Sequence, residues 1–101
     1  MSNHTERFDV DIHGVCAERG AVYGHPLDDF TIASKIKEAV QSCPHPQVRH
    51  ALEMIGVKMA RLCSPTGCRH TPTIIDVAGY ARTIVMILDE EDKRNGLGKK
   101  I

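Results

Sequence analysis

Tryptophan is absent from this 101-residue chain, and two tyrosines and two phenylalanines are its only other benzenoid side chains. A core built on stacked aromatic rings is therefore excluded, and Ile, Leu, Val, Ala and Met must fill it. Net charge is missing as well: 13 Lys and Arg balance 13 Asp and Glu, with six histidines counted neutral. That balance argues against general DNA or RNA binding, which needs a basic excess to neutralise phosphates. It leaves room for a small anionic ligand, which needs only two or three placed cations. No hydrophobic signal segment stands near the N-terminus and no apolar run reads as long enough to span a bilayer, so the expected location is cytoplasmic. In that compartment Cys16, Cys43, Cys63 and Cys68 default to free thiols. No strand pattern and no internal repeat appear.

What is present is helical spacing. Residues 1–10 are polar and read as a disordered N-terminus, 11–93 as one helical domain and 94–101, rich in Gly and Lys, as a flexible tail. A short helix is expected over about Ile12–Ala21. The second begins at Pro26, whose missing N–H is harmless at a first helical position. Asp28 and Asp29 follow in the first turn, where they complement the helix dipole. Leu27, Phe30, Ala33, Ile36 and Val40 then recur at helical spacing. Ser42–Pro46, with two prolines in three residues, breaks this helix.

The third helix is expected from about Pro46 to Leu62, striped by Val48, Leu52, Ile55, Met59 and Leu62. The last should run from Thr71 or Pro72 to about Lys93, with Thr71 as a candidate N-cap. Its face is read as Ile74, Val77, Ala78, Ala81, Ile84, Val85 and Leu88. Ile75, Met86 and Ile87 lie off that face, so the helix is apolar over more than half its surface. The expected fold is all-α, a four-helix bundle-like single domain. The surplus apolar surface of the last two helices points to a homodimer.

Several polar constellations stand out against this background. Lys58 and Arg61, three apart, share a helix face. They are either solvated helix-end charges or a cation pair for a phosphate or carboxylate, which Arg61 can grip bidentately. Asp76 interrupts the apolar run Ile74–Tyr80 and calls for a partner; Lys58 and Arg61 are the candidates. Tyr80 lies one turn on, and Gly79 between them suggests close approach of a helix or ligand. Asp28 and Asp29 either serve the helix start or, with Asp76, Glu38 or Glu53 brought near, hold Mg²⁺. Cys63, Cys68 and His70 resemble half a zinc site, at a spacing that is not a standard paired knuckle. Tyr23-Gly24-His25 reads as the lip of a cleft beside the Pro26 helix, with Tyr23 available to a planar ring.

The order Glu18-Arg19-Gly20, Tyr23-Gly24, Asp29-Phe30, Lys58-Met-Ala-Arg61 and Asp76-Val-Ala-Gly79-Tyr80-Ala81 resembles a family of small phage and prophage proteins of unknown function. The likeness spans about residues 15–88. That family is similar in turn to the MazG-like all-α nucleotide pyrophosphohydrolases. The resemblance implies a nucleotide or other phosphate-bearing ligand in an inter-helix pocket, with Arg19, Tyr23, Lys58, Arg61, Asp76 and Tyr80 as ligand-binding residues. Tyr23 and Tyr80 would meet base or ribose, and Lys58 and Arg61 the phosphates. Two alternatives stand beside it: Mg²⁺-dependent hydrolysis of a nucleoside triphosphate, with Asp28, Asp29 and Asp76 as metal ligands, and a non-catalytic structural or interaction protein. Against the hydrolase pattern, threonine (Thr73) stands where the first acid of the late Glu-x-x-Asp pair belongs, and no Glu-Glu-x-x-Glu is found.

Overall fold

A computed structural model of the chain describes residues 22–96. They fold into three α-helices, with no strand among them: α1 (Pro26–Val40), α2 (Pro46–Leu62) and α3 (Thr71–Arg94). The all-α expectation therefore holds. The helix expected over Ile12–Ala21, like residues 1–10 and 97–101, lies outside the described residues.

The helix starts share one device. Proline sits in the first turn of each, where no N–H is needed, and a histidine occupies each N-cap. In α1 the Leu27 N–H donates to His25 Nδ1 at 3.0 Å, and in α2 the Val48 N–H donates to His45 Nδ1 at 3.2 Å. An acceptor nitrogen thus does what a Ser or Asp oxygen does at most helix starts. At α3 the cap is His70 rather than Thr71, which is already helical, and the His70 ring bonds the Thr73 hydroxyl at 2.7 Å.

α2 is the middle element and packs against both α1 and α3, which make no extensive contact with each other. A helix gripped on two sides needs small residues at the approaches. Ala51, Gly56 and Ala60 are its buried positions, and a Cβ on Gly56 would stand 2.7 Å from Ile36 Cγ2 of α1. Polar ties fasten the open ends of this layer. Gln41 Nε2 donates to Glu53 Oε2 at 2.7 Å, and His45 Nε2 meets the Glu91 carboxylate at 2.9 Å. The latter joins the head of α2 to the tail of α3.

The buried faces differ from the expected stripes. Leu27 and Phe30 are 70% and 64% exposed, while Asp29 between them is only 8% exposed. Met59 also faces outward. On α3 the inward positions are Thr73, Val77, Tyr80, Ile84 and Ile87, whereas Ile74, Ala78, Ala81, Val85 and Leu88 face away. Both sets have helical 3–4 spacing, so periodicity alone does not choose between them. Contact with α2 does. Gly79 is no point of close approach for another helix: nothing lies within 4 Å of where its Cβ would be. Nor is the chain without a span-length apolar helix. α3 is long and apolar enough, by length and composition, to cross a bilayer, because Asp76 and Arg82 are the only charges from Thr71 to Leu88.

Candidate functional site

The head of α1 is shaped by the turn that precedes it. Gly24 takes φ +80°, a left-handed conformation that side chains with a Cβ rarely adopt. It turns the chain so that His25 can cap the helix. The His25 carbonyl accepts from the Asp28 and Asp29 N–H groups at 3.0 and 3.1 Å. The Thr66 hydroxyl donates to the Val22 carbonyl at 2.6 Å and fastens this turn to the α2–α3 loop. That loop is itself braced: the Gly67 N–H donates to Ser64 Oγ, which donates to the Arg61 carbonyl. Between turn and loop lies a cavity of about 220 Å³, walled by Tyr23, His25, Asp28, Asp29, Cys63 and Ser64 among others.

Arg61 reaches back over this turn. Its Cζ sits 4.6 Å from the centroid of the Tyr23 ring, a cation–π contact worth about 1 kcal/mol. The His70 ring meets Tyr23 edge-on at 5.8 Å and 89°. Tyr23 is thus a platform for Arg61, with one ring face already taken. Asp29 lies within the electric field of Arg61, yet each keeps an open atom: among the described residues Asp29 Oδ1 and Arg61 Nε are buried without a hydrogen-bond partner. Burial pushes the Asp29 carboxyl above its ordinary range, and the positive charge of Arg61 offsets part of that rise. Most buried polar atoms in folded proteins find partners, so an acceptor and a donor left open at this end of the helices call for a physical explanation.

A second polar group forms across α2 and α3. Lys58 Nζ and Asp76 Oδ2 are 3.0 Å apart, with side chains 16% and 47% exposed. Tyr80 and Gly79 border the same open cleft, of about 390 Å³. The partner that Asp76 requires is therefore Lys58. The cation pair expected from sequence is divided: Lys58 turns to α3 and Arg61 to Tyr23. Of the residues singled out for ligand binding, Tyr23 and Arg61 come together, Lys58, Asp76 and Tyr80 come together elsewhere, and Arg19 lies outside the described residues.

The acidic residues divide in the same way. Asp28 and Asp29 border the cavity at the head of α1, and Asp76 belongs to the other cleft. Among the described residues no group of three His, Cys, Asp or Glu side chains is arranged to hold a metal ion. Cys43, Cys63 and Cys68 are free thiols, with Cys63 on the cavity wall.

Sequence reasoning missed the capping role of the histidines, although the signal is visible in His25-Pro26, His45-Pro46 and His70-Thr-Pro72. It also missed Ser64, which nothing in the local pattern distinguishes from an ordinary loop serine. No known family model matches the chain, and no curated protein or solved structure is similar to it.

Proposed function

We propose that this chain binds a nucleotide or nucleotide-derived ligand at the head of α1, in the cavity between the Tyr23–His25 turn and the α2–α3 loop. The observation that carries the reading is that Asp29 Oδ1 and Arg61 Nε are each buried with no hydrogen-bond partner among the described residues. A ligand offering a donor and an acceptor would relieve both, each worth about 1–3 kcal/mol of otherwise unrecovered desolvation. The cavity, about 220 Å³, suits one ring system rather than a whole nucleotide, so ribose and phosphates would project to its mouth. Binding is favoured over Mg²⁺-dependent hydrolysis because the candidate metal ligands divide between two places. The test is a thermal-shift and calorimetric titration with nucleoside mono-, di- and triphosphates, each with and without Mg²⁺. Binding at a hundred times the dissociation constant adds about 2.7 kcal/mol to the folded state. The expected outcome is a shift that does not require metal; silence across the set would remove the reading, and release of pyrophosphate would restore the hydrolase.

A specific observation supports self-association as a second property. Ala51 and Ala60 are the only buried apolar side chains among the described residues, while Ile74, Ile75, Val85, Met86 and Leu88 on α3 stand 40–62% exposed. An apolar face of that kind on a small helical layer fits the expected homodimer. Light scattering at micromolar concentration would show twice the chain mass.

A further inference from the structure

We infer that the exposed face of α3 receives α3 of a second copy of this chain, the two helices running antiparallel along the stripe Ile74–Ala78–Ala81–Val85–Leu88. The inference rests on the self-association reading above and names its surface. α3 carries two stripes whose members are spaced alternately by four and three residues. Thr73, Val77, Tyr80, Ile84 and Ile87 form one, and it turns inward. Ile74, Ala78, Ala81, Val85 and Leu88 form the other, and every member is exposed, Ile74 by 47%, Val85 by 56% and Leu88 by 40%. A four–three repeat of apolar residues is the seam along which two helices wind together, each side chain entering a gap in the facing row. A helix seated on α2 thus keeps a complete second seam open.

Side-chain size and charge choose the occupant. A two-fold pair needs a patch that complements itself. Laid antiparallel about a point level with Gly79 and Tyr80, the stripe does so. Ala78 meets Ala81 of the second copy and Ile74 meets its Val85, so small residues lie at the centre and branched ones at both ends. Alanines from both copies at the centre let the two backbones approach closely. Charge sets the direction. Arg69 precedes α3, and Asp89, Glu90, Glu91 and Asp92 crowd its last turns. A parallel pair would set acid beside acid. In the antiparallel register Asp89 and Asp92 pass the first turn of the facing helix, towards its exposed Arg69 and the positive end of its dipole. A bilayer suits the face less well, although α3 is long and apolar enough to enter one. Arg82 is exposed in mid-helix on the flank of the stripe, and Asp76 holds Lys58 at 3.0 Å. Charges in those positions are costly in hydrocarbon.

The experiment has two arms, both on the full chain. Light scattering at micromolar concentration compares the parent with Ala81→Glu and with Ser34→Glu, which puts the same charge on an exposed position of α1. The parent and Ser34→Glu should show twice the chain mass. Ala81→Glu should show the single mass with its helix content by circular dichroism unchanged. The second arm reads the direction from the distance between nitroxide labels on Lys93→Cys, in a chain whose four native cysteines are serine. At 1.5 Å per residue the antiparallel register sets the two labelled positions about 40 Å apart, against about 10 Å in a parallel pair. A dimer that survives Ala81→Glu would overturn the α3 face and leave self-association intact. Labels about 10 Å apart would overturn the antiparallel order. A parent of single mass would remove both this pairing and the self-association reading. Co-sedimentation of that monomer with phosphatidylcholine vesicles would give the face to a bilayer instead. Should Ala81→Glu or the labelled chain fail to fold, the other arm decides.

Discussion

The two polar groups of this molecule use the same chemistry to opposite ends. Across α2 and α3, Lys58 and Asp76 meet at 3.0 Å and satisfy each other, with the carboxylate half in solvent. At the head of α1, Asp29 and Arg61 are near enough for one charge to act on the other, yet each keeps a buried atom open. A completed pair has little left to offer a ligand. An incomplete one stores a desolvation penalty that a ligand can relieve. Charge alone therefore does not tell the two groups apart; the open buried atoms at the head of α1 do.

The sharpest way to break this comparison is to remove one cation from each group. Arg61→Ala should weaken nucleotide binding by ten- to a hundred-fold, as expected for a charge-assisted hydrogen bond of about 1.5–3 kcal/mol. Lys58→Ala should leave binding within two-fold and instead lower stability by about 1 kcal/mol, because Asp76 loses its partner. For a domain of this size that is a fall of roughly 4–8 °C in Tm. Parallel titrations and melts of the two variants give the answer. If Lys58→Ala also abolishes binding, the two groups are one site and the division drawn here is wrong.

This contrast also explains what was legible in the sequence. The limits of α1, α2 and α3 could be read closely, because proline breaks and caps act within a few residues of themselves. The helices end as expected to within a residue or two. Which side of α3 turns inward could not be read, since Ile74–Ala78–Ala81–Val85–Leu88 and Thr73–Val77–Tyr80–Ile84–Ile87 are both regular stripes. The partner helix selects between them, and that is a tertiary fact. In the same way, the three-residue spacing of Lys58 and Arg61 fixed their common helix but not their neighbours. Tyr23 and Asp29 were visible as candidates because an aromatic, a glycine and two acids crowd one turn. The state of Asp29, buried with an open oxygen, is a tertiary fact, set where distant residues such as Cys63 and Ser64 share its cavity wall.

A smaller effect sharpens the claim that Asp29 is unsatisfied in the free protein. In the unfolded chain its carboxyl titrates in the ordinary range; in the fold burial raises it. The folded state thus prefers the neutral form. That preference stabilises fully below the unfolded value and is lost as pH rises through the folded one. At neutral pH the ionised group works against folding, so Asp29→Asn without ligand should be more stable than the parent, by about 1 kcal/mol. The gap should close as the solution is acidified towards pH 4. Melting curves of both proteins between pH 7.5 and pH 4 test this. A variant less stable at pH 7.5, with a gap that pH does not change, would mean that Arg61 already satisfies the carboxylate.

The smallest expected effect concerns the turn itself. His25 caps α1 through one bond, from the Leu27 N–H at 3.0 Å, and the residue also lines the cavity. His45 caps α2 and at the same time meets Glu91, so it joins two helices. Removing His45 should therefore cost more stability than removing His25, at about 1 kcal/mol against about 0.5 kcal/mol on the scale of ordinary N-caps. The order for ligand binding is the reverse. His25→Ala loosens the turn that carries Tyr23, on which Arg61 rests, and should weaken nucleotide binding by two- to five-fold. His45→Ala acts where α2 begins and should leave binding unchanged. Asparagine at position 25 restores a side-chain acceptor and should recover most of the loss. If it restores the melting temperature but not the affinity, the imidazole itself meets the ligand, and His25 belongs to the site rather than to its scaffold.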